Sequence, residues 1–314
     1  MAWALSYIIP FTAYPYTGGA VACDLCGATA TEIICENDRR FKKLRTVACL
    51  RCGLLRTDPM PTAEEIDEYY QRTYRWDYQF AHRGPSKRHL MRGRREALSR
   101  LALLATALHP GARILDFGSG AGSFLGAAKE AGHDVLGVEP GGDYAAYAKK
   151  TFGVGVVQEP WEEIVHPLGT FDVITAVEVL EHLRKPIEAL RWLAGRLAPD
   201  GVIYVTVPNA LPNGKETFRR FHFAHLHNFT PMTLEWAAQT AGLELDPRFT
   251  PIGTRMVFRR AAQPTMPAIP ENAGEGLHRL YPNDTIIRYV LAGGWLRGRV
   301  RQFAVTVRDT LNFS

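Results

Sequence analysis

Four of the five cysteines stand in two matching Cys-x-x-Cys-Gly pairs, Cys23/Cys26 and Cys49/Cys52, with 22 residues between them. Each pair can form a tight knuckle presenting two thiolates, and four thiolates close a tetrahedral Zn²⁺ shell with no open position. Such a metal is structural rather than catalytic, and its removal should unfold the module. A second constellation is Asp116-Phe117-Gly118-Ser119-Gly120-Ala121-Gly122, a glycine turn between an apolar run and a helical pattern. Glycine allows the sharp turn and a close approach of backbone to ligand. Val138-Glu139-Pro140 follows about 20 residues on, where an acidic side chain at a strand end can accept both hydroxyl hydrogens of a ribose. The third constellation is Glu178-Val179-Leu180-Glu181-His182 with His222, His225 and His227. These groups can move a proton near neutral pH or hold a divalent ion.

Such residues need a scaffold that brings them to one edge. From 112 to 260, short apolar runs alternate with helical patterns: Arg113–Phe117, Val135–Val138, Val154–Val157, Phe171–Ala176 and Val202–Val207 read as strands of a doubly wound sheet. Leu243–Phe249 and Arg255–Arg259 add a closing hairpin. The expected fold is α/β, a Rossmann-like, doubly wound, mostly parallel seven-stranded sheet with an N-terminal zinc-binding module and a helical connector. The boundaries fall at 1–20 (extension), 21–60 (zinc-ribbon-like module), 61–109 (helical connector covering the active site), 110–260 (sheet domain) and 261–314 (linker and basic amphipathic segment). Thr62 and Glu65 form a capping box for a helix over 63–70, and Leu90, Ala97, Leu101 and Leu104 space a second one.

With 46% hydrophobic and 22% charged residues in 314, the composition is that of a soluble globular protein. No apolar run reaches the ~18 residues of a membrane span. The first 20 residues lack a basic start and are broken by Pro10 and Pro15, unlike a signal peptide. Cysteines paired as metal ligands suit a reducing compartment, so the expected location is the cytoplasm. The formal charge is +5, and residues 82–100 hold Arg83, Lys87, Arg88, Arg92, Arg94, Arg95 and Arg100 against a single Glu96. That face suits an anionic small substrate or, beside a ribbon, nucleic-acid phosphates. Residues 286–311 place Arg288, Arg297, Arg299, Arg301 and Arg308 beside Trp295, Val300, Phe303 and Val307, a pattern for docking on the body, a second subunit or a membrane surface.

Asp116-x-Gly118-x-Gly120-x-Gly122, then Gly137-Val138-Glu139-Pro140, then Phe171-Asp172-Val173-Ile174 leading to Glu178-Val179-Leu180-Glu181-His182 together resemble the class I methyltransferases. The likeness is closest to the small-molecule O-methyltransferases related to those of ubiquinone biosynthesis and polysaccharide clusters, and it spans residues 110–260. It implies S-adenosylmethionine as cofactor. Asp116, Gly118, Ser119, Gly120 and Gly122 would hold its methionine part, Glu139 and Pro140 its ribose, and the segment from Gln158 to Trp161 its adenine, with Glu178 toward the methyl end. The turn lacks the Gly-x-Gly-x-x-Gly spacing of a nicotinamide-binding dehydrogenase.

The expected reaction is methyl transfer to a hydroxyl of a sugar, glycan or secondary metabolite, with His182 or His227 as general base. The alternative use of these residues is a divalent-metal site of Glu178, Glu181, His182 and His227, similar to that of small-RNA 2′-O-methyltransferases and suited to Mg²⁺, Mn²⁺ or Zn²⁺. The Asn or Asp with Pro-Pro of amino-methylating nucleic-acid enzymes does not follow strand four, and Cys35 is the one cysteine outside the pairs. A ribbon ahead of such a domain resembles the sugar C-methyltransferases, in which Glu68-Tyr69-Tyr70 through Tyr74 would cover cofactor and acceptor. Those enzymes carry a large further domain where 54 residues follow position 260 here. RNA methylation and a non-catalytic, cofactor-binding interaction protein are the other readings.

Overall fold

The computed structural model describes residues 7, 9–72, 87–214, 216–281, 289 and 291. Tyr74, Arg83 and all of 286–311 except positions 289 and 291 lie outside the described residues, as do the expectations attached to them.

The chain opens with the ribbon strands β1 (Thr31–Asn37), β2 (Lys43–Cys49) and β3 (Leu55–Thr57), followed by helices α1 (Ala63–Arg72) and α2 (Lys87–Leu104). The capping box at α1 forms as its residues predict: Glu65 N–H donates to Thr62 Oγ1 at 3.3 Å and Thr62 N–H to Glu65 Oε2 at 2.8 Å. The chain then alternates β4 (Arg113–Phe117), α3 (Ser123–Glu130), β5 (Asp134–Val138), α4 (Gly142–Phe152), β6 (Gly155–Val157), β7 (Phe171–Val177), α5 (Pro186–Ala194) and β8 (Leu197–Thr206). After it come β9 (His227–Asn228), α6 (Pro231–Thr240), β10 (Leu243–Leu245) and β11 (Arg255–Arg260).

The large sheet has seven strands in the order β10-β11-β8-β7-β4-β5-β6, parallel from β8 to β6 and antiparallel where β11 meets its two neighbours. This is the Rossmann-like fold that the alternation of runs predicts. Side chains of period two divide between its faces. Ile114, Val173, Val202 and Val257 pack with Ala97 and Leu104 of α2 and with Phe124 and Ala128 of α3. Leu115, Ile174, Ile203 and Val205 pack on the other face with Leu190 of α5 and Leu234 and Ala238 of α6. Strand β10 ends at Leu245, short of the expected Phe249, because the Asp246 carboxylate turns the chain by accepting from the Arg248 amide at 2.9 Å and from its guanidinium.

The ribbon is not a free-standing module. Its sheet runs β1-β2-β3-β9, so the fourth strand comes from beyond β8 through Leu55↔Asn228 and Arg56↔His227. Cys23, Cys49, Cys52, Leu25 and Leu54 share one apolar cluster with β4, β7, β8, α5 and α6. The stretch expected as a linker also packs down: Gly274 N–H donates to Leu50 O at 3.0 Å, and the buried Tyr281 donates to Ala210 O at 3.0 Å. A Cβ at Gly274 would lie 1.9 Å from Cys49 O, so no other residue fits there. Among the described residues no helix is long and apolar enough to cross a membrane.

Candidate active site

The glycine turn lies between β4 and α3 at the carboxyl edge of the sheet, where open α/β sheets bind ligands. Gly118, Gly120 and Gly122 all have positive φ, which glycine adopts without strain. A Cβ at Gly118 would meet Val179 Cγ2 at 2.3 Å, whereas the nearest atom to one at Gly120 is 4.0 Å away, so Gly120 faces open space. The turn is pinned by Gly118 and Ser119 amides donating to Val138 O at 2.8 and 3.0 Å. Glu139 leaves the tip of β5 and accepts from the Gly120 amide at 2.9 Å and the Gly141 amide at 2.8 Å, while Pro140 beside it is exposed.

Asp116 sits beneath the turn. Its carboxylate takes the Thr175 hydroxyl and lies 3.6 Å from the Arg100 guanidinium of α2, which also stacks on the Phe124 ring. Burial raises its pKa, and Arg100 and Thr175 work against that rise. Ser119 Oγ and Trp161 Nε1 are buried here with no hydrogen-bond partner among the described residues, the Trp161 ring lying edge-on to Trp192 at 6.2 Å. An open cradle at Gly120, a carboxylate at the β5 tip and two unpartnered donors fit S-adenosylmethionine.

The candidate reaction end lies where β7 stops. Glu178 holds φ at 55°, the left-handed region that side-chain-bearing residues rarely occupy, a strain that clusters at functional positions. Burial pushes its pKa up to about 7, and Arg92 on α2 opposes that shift. Glu181 is 1% exposed, and neither carboxylate oxygen has a hydrogen-bond partner among the described residues. Its Oε1 lies 3.8 Å from His182 Nε2 and 4.0 Å from His225 Nε2, and burial raises its pKa well above the ordinary value. His182 and His225 rings are 4.9 Å apart, and His222 packs on His225 at 3.8 Å. Burial lowers all three imidazole pKa values, that of His182 to about 4, with the charge of Arg39 adding to the effect.

Two cross-ties hold these segments together. His182 Nδ1 donates to Ala224 O at 2.8 Å, and His227 Nδ1 donates to Leu183 O at 3.0 Å. A carbonyl only accepts, so Nδ1 carries the proton in both rings and Nε2 bears the lone pair. The imidazole that joins His182 and Glu181 is thus that of His225, not His227. Glu178 and His227 likewise stay outside the second group that, among the described residues, could hold an ion: Glu181, His182 and His225, whose ligand atoms lie within 4.8 Å of one another. Spacing alone could not choose among His222, His225 and His227, since the choice depends on which carbonyl each meets across the loop. Aromatic rings gather beside these histidines: Phe223 is packed by Tyr7, Tyr14, Tyr16 and Tyr69, and Tyr70 stands edge-on to His182.

The four paired cysteines converge as expected. Cys23 Sγ lies 3.5 Å from Cys52 Sγ and Cys26 Sγ 3.5 Å from Cys49 Sγ, with all four sulfurs within 4.8 Å of one another. Zn–S bonds of about 2.3 Å in a tetrahedron need sulfurs roughly 3.8 Å apart, so the residues fit a zinc ion. Cys35 stands apart, its thiol donating to Asn37 O at 3.2 Å.

The sheet order and the glycine turn with its acidic β5 tip define a class I S-adenosylmethionine-dependent methyltransferase domain preceded by a zinc-ribbon-like module. The chain belongs to the methyltransferase-domain family, whose match covers residues 88–247, just over half of it. It is similar to the C-methyltransferase NovU of Streptomyces niveus, 26% identical over 190 residues that make up 58% of this chain and 43% of that protein. It is also similar to a ubiquinone biosynthesis O-methyltransferase of Xanthomonas campestris pv. campestris (strain B100), 30% identical over 109 residues, 33% of this chain and 46% of that protein. The chain therefore spans less than half the length of these curated relatives. Among solved structures it resembles the CcbJ methyltransferase from Streptomyces caelestis, with 19% identity, a TM-score of 0.44, and coverage of 54% of this chain and 90% of that one.

Proposed function

We propose that the protein transfers a methyl group from S-adenosylmethionine to a hydroxyl of a small acceptor, a sugar, glycan or secondary metabolite, and that His182 with His225 supports the proton transfer. The observation that carries this reading is the pair of imidazoles beside Glu181, His225 buried and His182 half-buried, with His182 fixed in the tautomer whose Nε2 can take a proton. Bound S-adenosylmethionine supplies an electrophilic sulfonium methyl. The chain holds the cofactor at the Gly118–Gly122 turn, Glu139 and Trp161, excludes water with Phe223 and its tyrosines, and receives the hydroxyl proton at an imidazole Nε2. His227, tied to Leu183 and paired with β3, holds the loop in place. The names of the two relatives cover carbon and oxygen acceptors; a neutral base close to a protonatable carboxyl group favours oxygen.

A small acceptor is preferred to RNA because three arginines of α2 are already paired: Arg92 with Glu96, Arg94 with Glu130 and Arg100 with Asp116. Four free thiols in one cluster suit a resident Zn²⁺ and a cytoplasmic setting. A second reading rests on the unpartnered oxygens of Glu181: a divalent ion at Glu181, His182 and His225 would orient acceptor hydroxyls.

The test is calorimetry with S-adenosylhomocysteine, then mass spectrometry of glycan and metabolite pools incubated with the protein and deuterated cofactor. His182→Asn and His225→Asn should lower label transfer about 100-fold or more while binding of the homocysteine analogue is unchanged. Full activity in both variants would refute the base, and activity restored to a chelated sample by Mn²⁺ alone would select the metal reading.

A further inference from the structure

The two histidine-bearing segments come from different places in the catalytic region, 178–183 after β7 and 221–228 in the long connection after β8. One cysteine knuckle bonds to the helix that follows the first segment, and the other leads into the strand that pairs with the second. In the first knuckle, closed by Gly27 N–H on Cys23 O at 2.8 Å, Asp24 Oδ2 accepts the Ile187 amide at 3.1 Å. Ile187 lies in the first turn of α5, five residues after His182. That amide is one of the unsatisfied donors of a helix start, so a carboxylate from the ribbon fixes where α5 begins and, with it, where the preceding His182 turn can lie.

The second knuckle, closed by Gly53 N–H on Cys49 O at 2.8 Å, runs directly into β3. There Thr57 N–H donates to Leu226 O at 2.9 Å, Thr57 Oγ1 donates to His225 O at 3.3 Å, and Arg56 pairs with His227. The histidine loop is thus an edge strand of the ribbon. Between the knuckles the sulfurs approach across two contacts, Cys23 to Cys52 and Cys26 to Cys49.

We infer that the four-cysteine site is a staple for the reaction end: by joining the knuckles through one metal ion it fixes His182 relative to His225, and Asp24 and Thr57 are the positioning residues that carry this constraint. The cofactor turn lies between β4 and α3, while Asp24 and Thr57 bond to Ile187 and His225, so the staple acts on the chemical step and not on cofactor affinity. Misplacement of reacting groups by about 1 Å can lower a rate about 100-fold.

The inference rests on the methyltransferase reading for its activity readouts and on zinc at the four cysteines for its metal, but its first test needs neither cofactor nor acceptor. Hydrogen exchange is followed on the full chain, zinc-loaded and then stripped by a chelator, with zinc content measured by mass spectrometry. Stripping should speed exchange of the amides of Ile187, Thr57 and 225–228 at least tenfold while those of 118–123 keep their protection. Unchanged exchange at 187 and 225–228, or loss of protection over the whole chain, would overturn the staple, whereas a zinc-loaded chain that fails to bind S-adenosylhomocysteine would sink the methyltransferase reading alone.

A second arm leaves the metal in place. Asp24→Leu should lower kcat about tenfold with KM for S-adenosylmethionine unchanged, and Asp24→Asn, which keeps an acceptor oxygen, should restore it. Thr57→Val and Thr57→Ser should behave in the same pairwise way. A kcat untouched by Asp24→Leu and Thr57→Val, or a KM that moves in step with kcat, overturns the positioning role.

Discussion

The cofactor edge and the reaction end share one sheet but are built by different rules. At the cofactor edge a contiguous stretch, 116–122, supplies the turn, and Glu139 joins it from the neighbouring strand. Every element is local or one strand away, and the geometry follows from glycine at three positive-φ positions. At the reaction end, Glu181 and His182 come from the end of β7, His222 and His225 from a distant loop, the tyrosines from the first 16 residues and α1, and the constraint from the ribbon. One site is written in consecutive residues and the other in tertiary contacts. The first can be shared by any methyltransferase of the class, and in the function proposed above the second would choose the acceptor.

The strongest way to break this division is Gly118→Ala. The substitution forces a side chain into the left-handed region and sets a methyl 2.3 Å from Val179 Cγ2. Affinity for S-adenosylhomocysteine, measured by calorimetry, should fall about 100-fold or more, some 2.7 kcal/mol. Because Val179 lies in the segment that carries Glu178 and His182, amides near His182 should shift with it. Retained affinity would mean that the turn does not form the cradle.

The difference also decides how much could be read in advance. The sheet, its seven strands and the capping box at Thr62 are legible because period-two apolar runs and Ser/Thr-x-x-Glu patterns are local signals. The cysteines are legible because knuckle spacing is a covalent constraint. His225 is not, since three histidines within six residues have equal claims until Ala224 O and Leu183 O are placed. The fourth ribbon strand is hidden for a similar reason: β9 is two residues long and pairs with residues some 170 positions earlier, so no periodicity marks it. Asp116 shows the limit of a motif, because its neighbours Thr175 and Arg100 come from β7 and α2 and only their arrival turns a motif acid into the anchor of a helix.

A titration separates the two regions at intermediate size. His227 is buried in the ribbon interface, and that burial, helped by the charge of Arg56, lowers its pKa to about 4 against an ordinary 6.5. The folded form therefore binds fewer protons than the unfolded chain between those values, so its contribution to stability is complete above pH 6.5 and is lost as pH falls toward 4. His227→Asn keeps a donor for Leu183 O and removes the titration. Across that window the stability of the wild type should fall relative to the variant by about 1.4 kcal/mol per pH unit, read from urea unfolding. A constant difference from pH 7 to 4 would show that the ribbon interface admits water around the ring.

The finest prediction concerns Trp161, where the cofactor edge reaches its least contiguous point. Its indole Nε1 is buried with no hydrogen-bond partner among the described residues, while the ring packs against Trp192. An unpaired buried donor destabilises the protein that carries it by about 1–3 kcal/mol, so a position that keeps one is held for something other than folding. Trp161→Phe retains most of the apolar contact and removes the donor. The variant should melt at the same temperature as the wild type or slightly above it, and bind S-adenosylhomocysteine several-fold more weakly, with the loss confined to analogues that carry the adenine. Lower stability with unchanged affinity would show that the ring serves the Trp192 contact alone, and the cofactor edge would then end at Glu139, inside the stretch whose geometry is local.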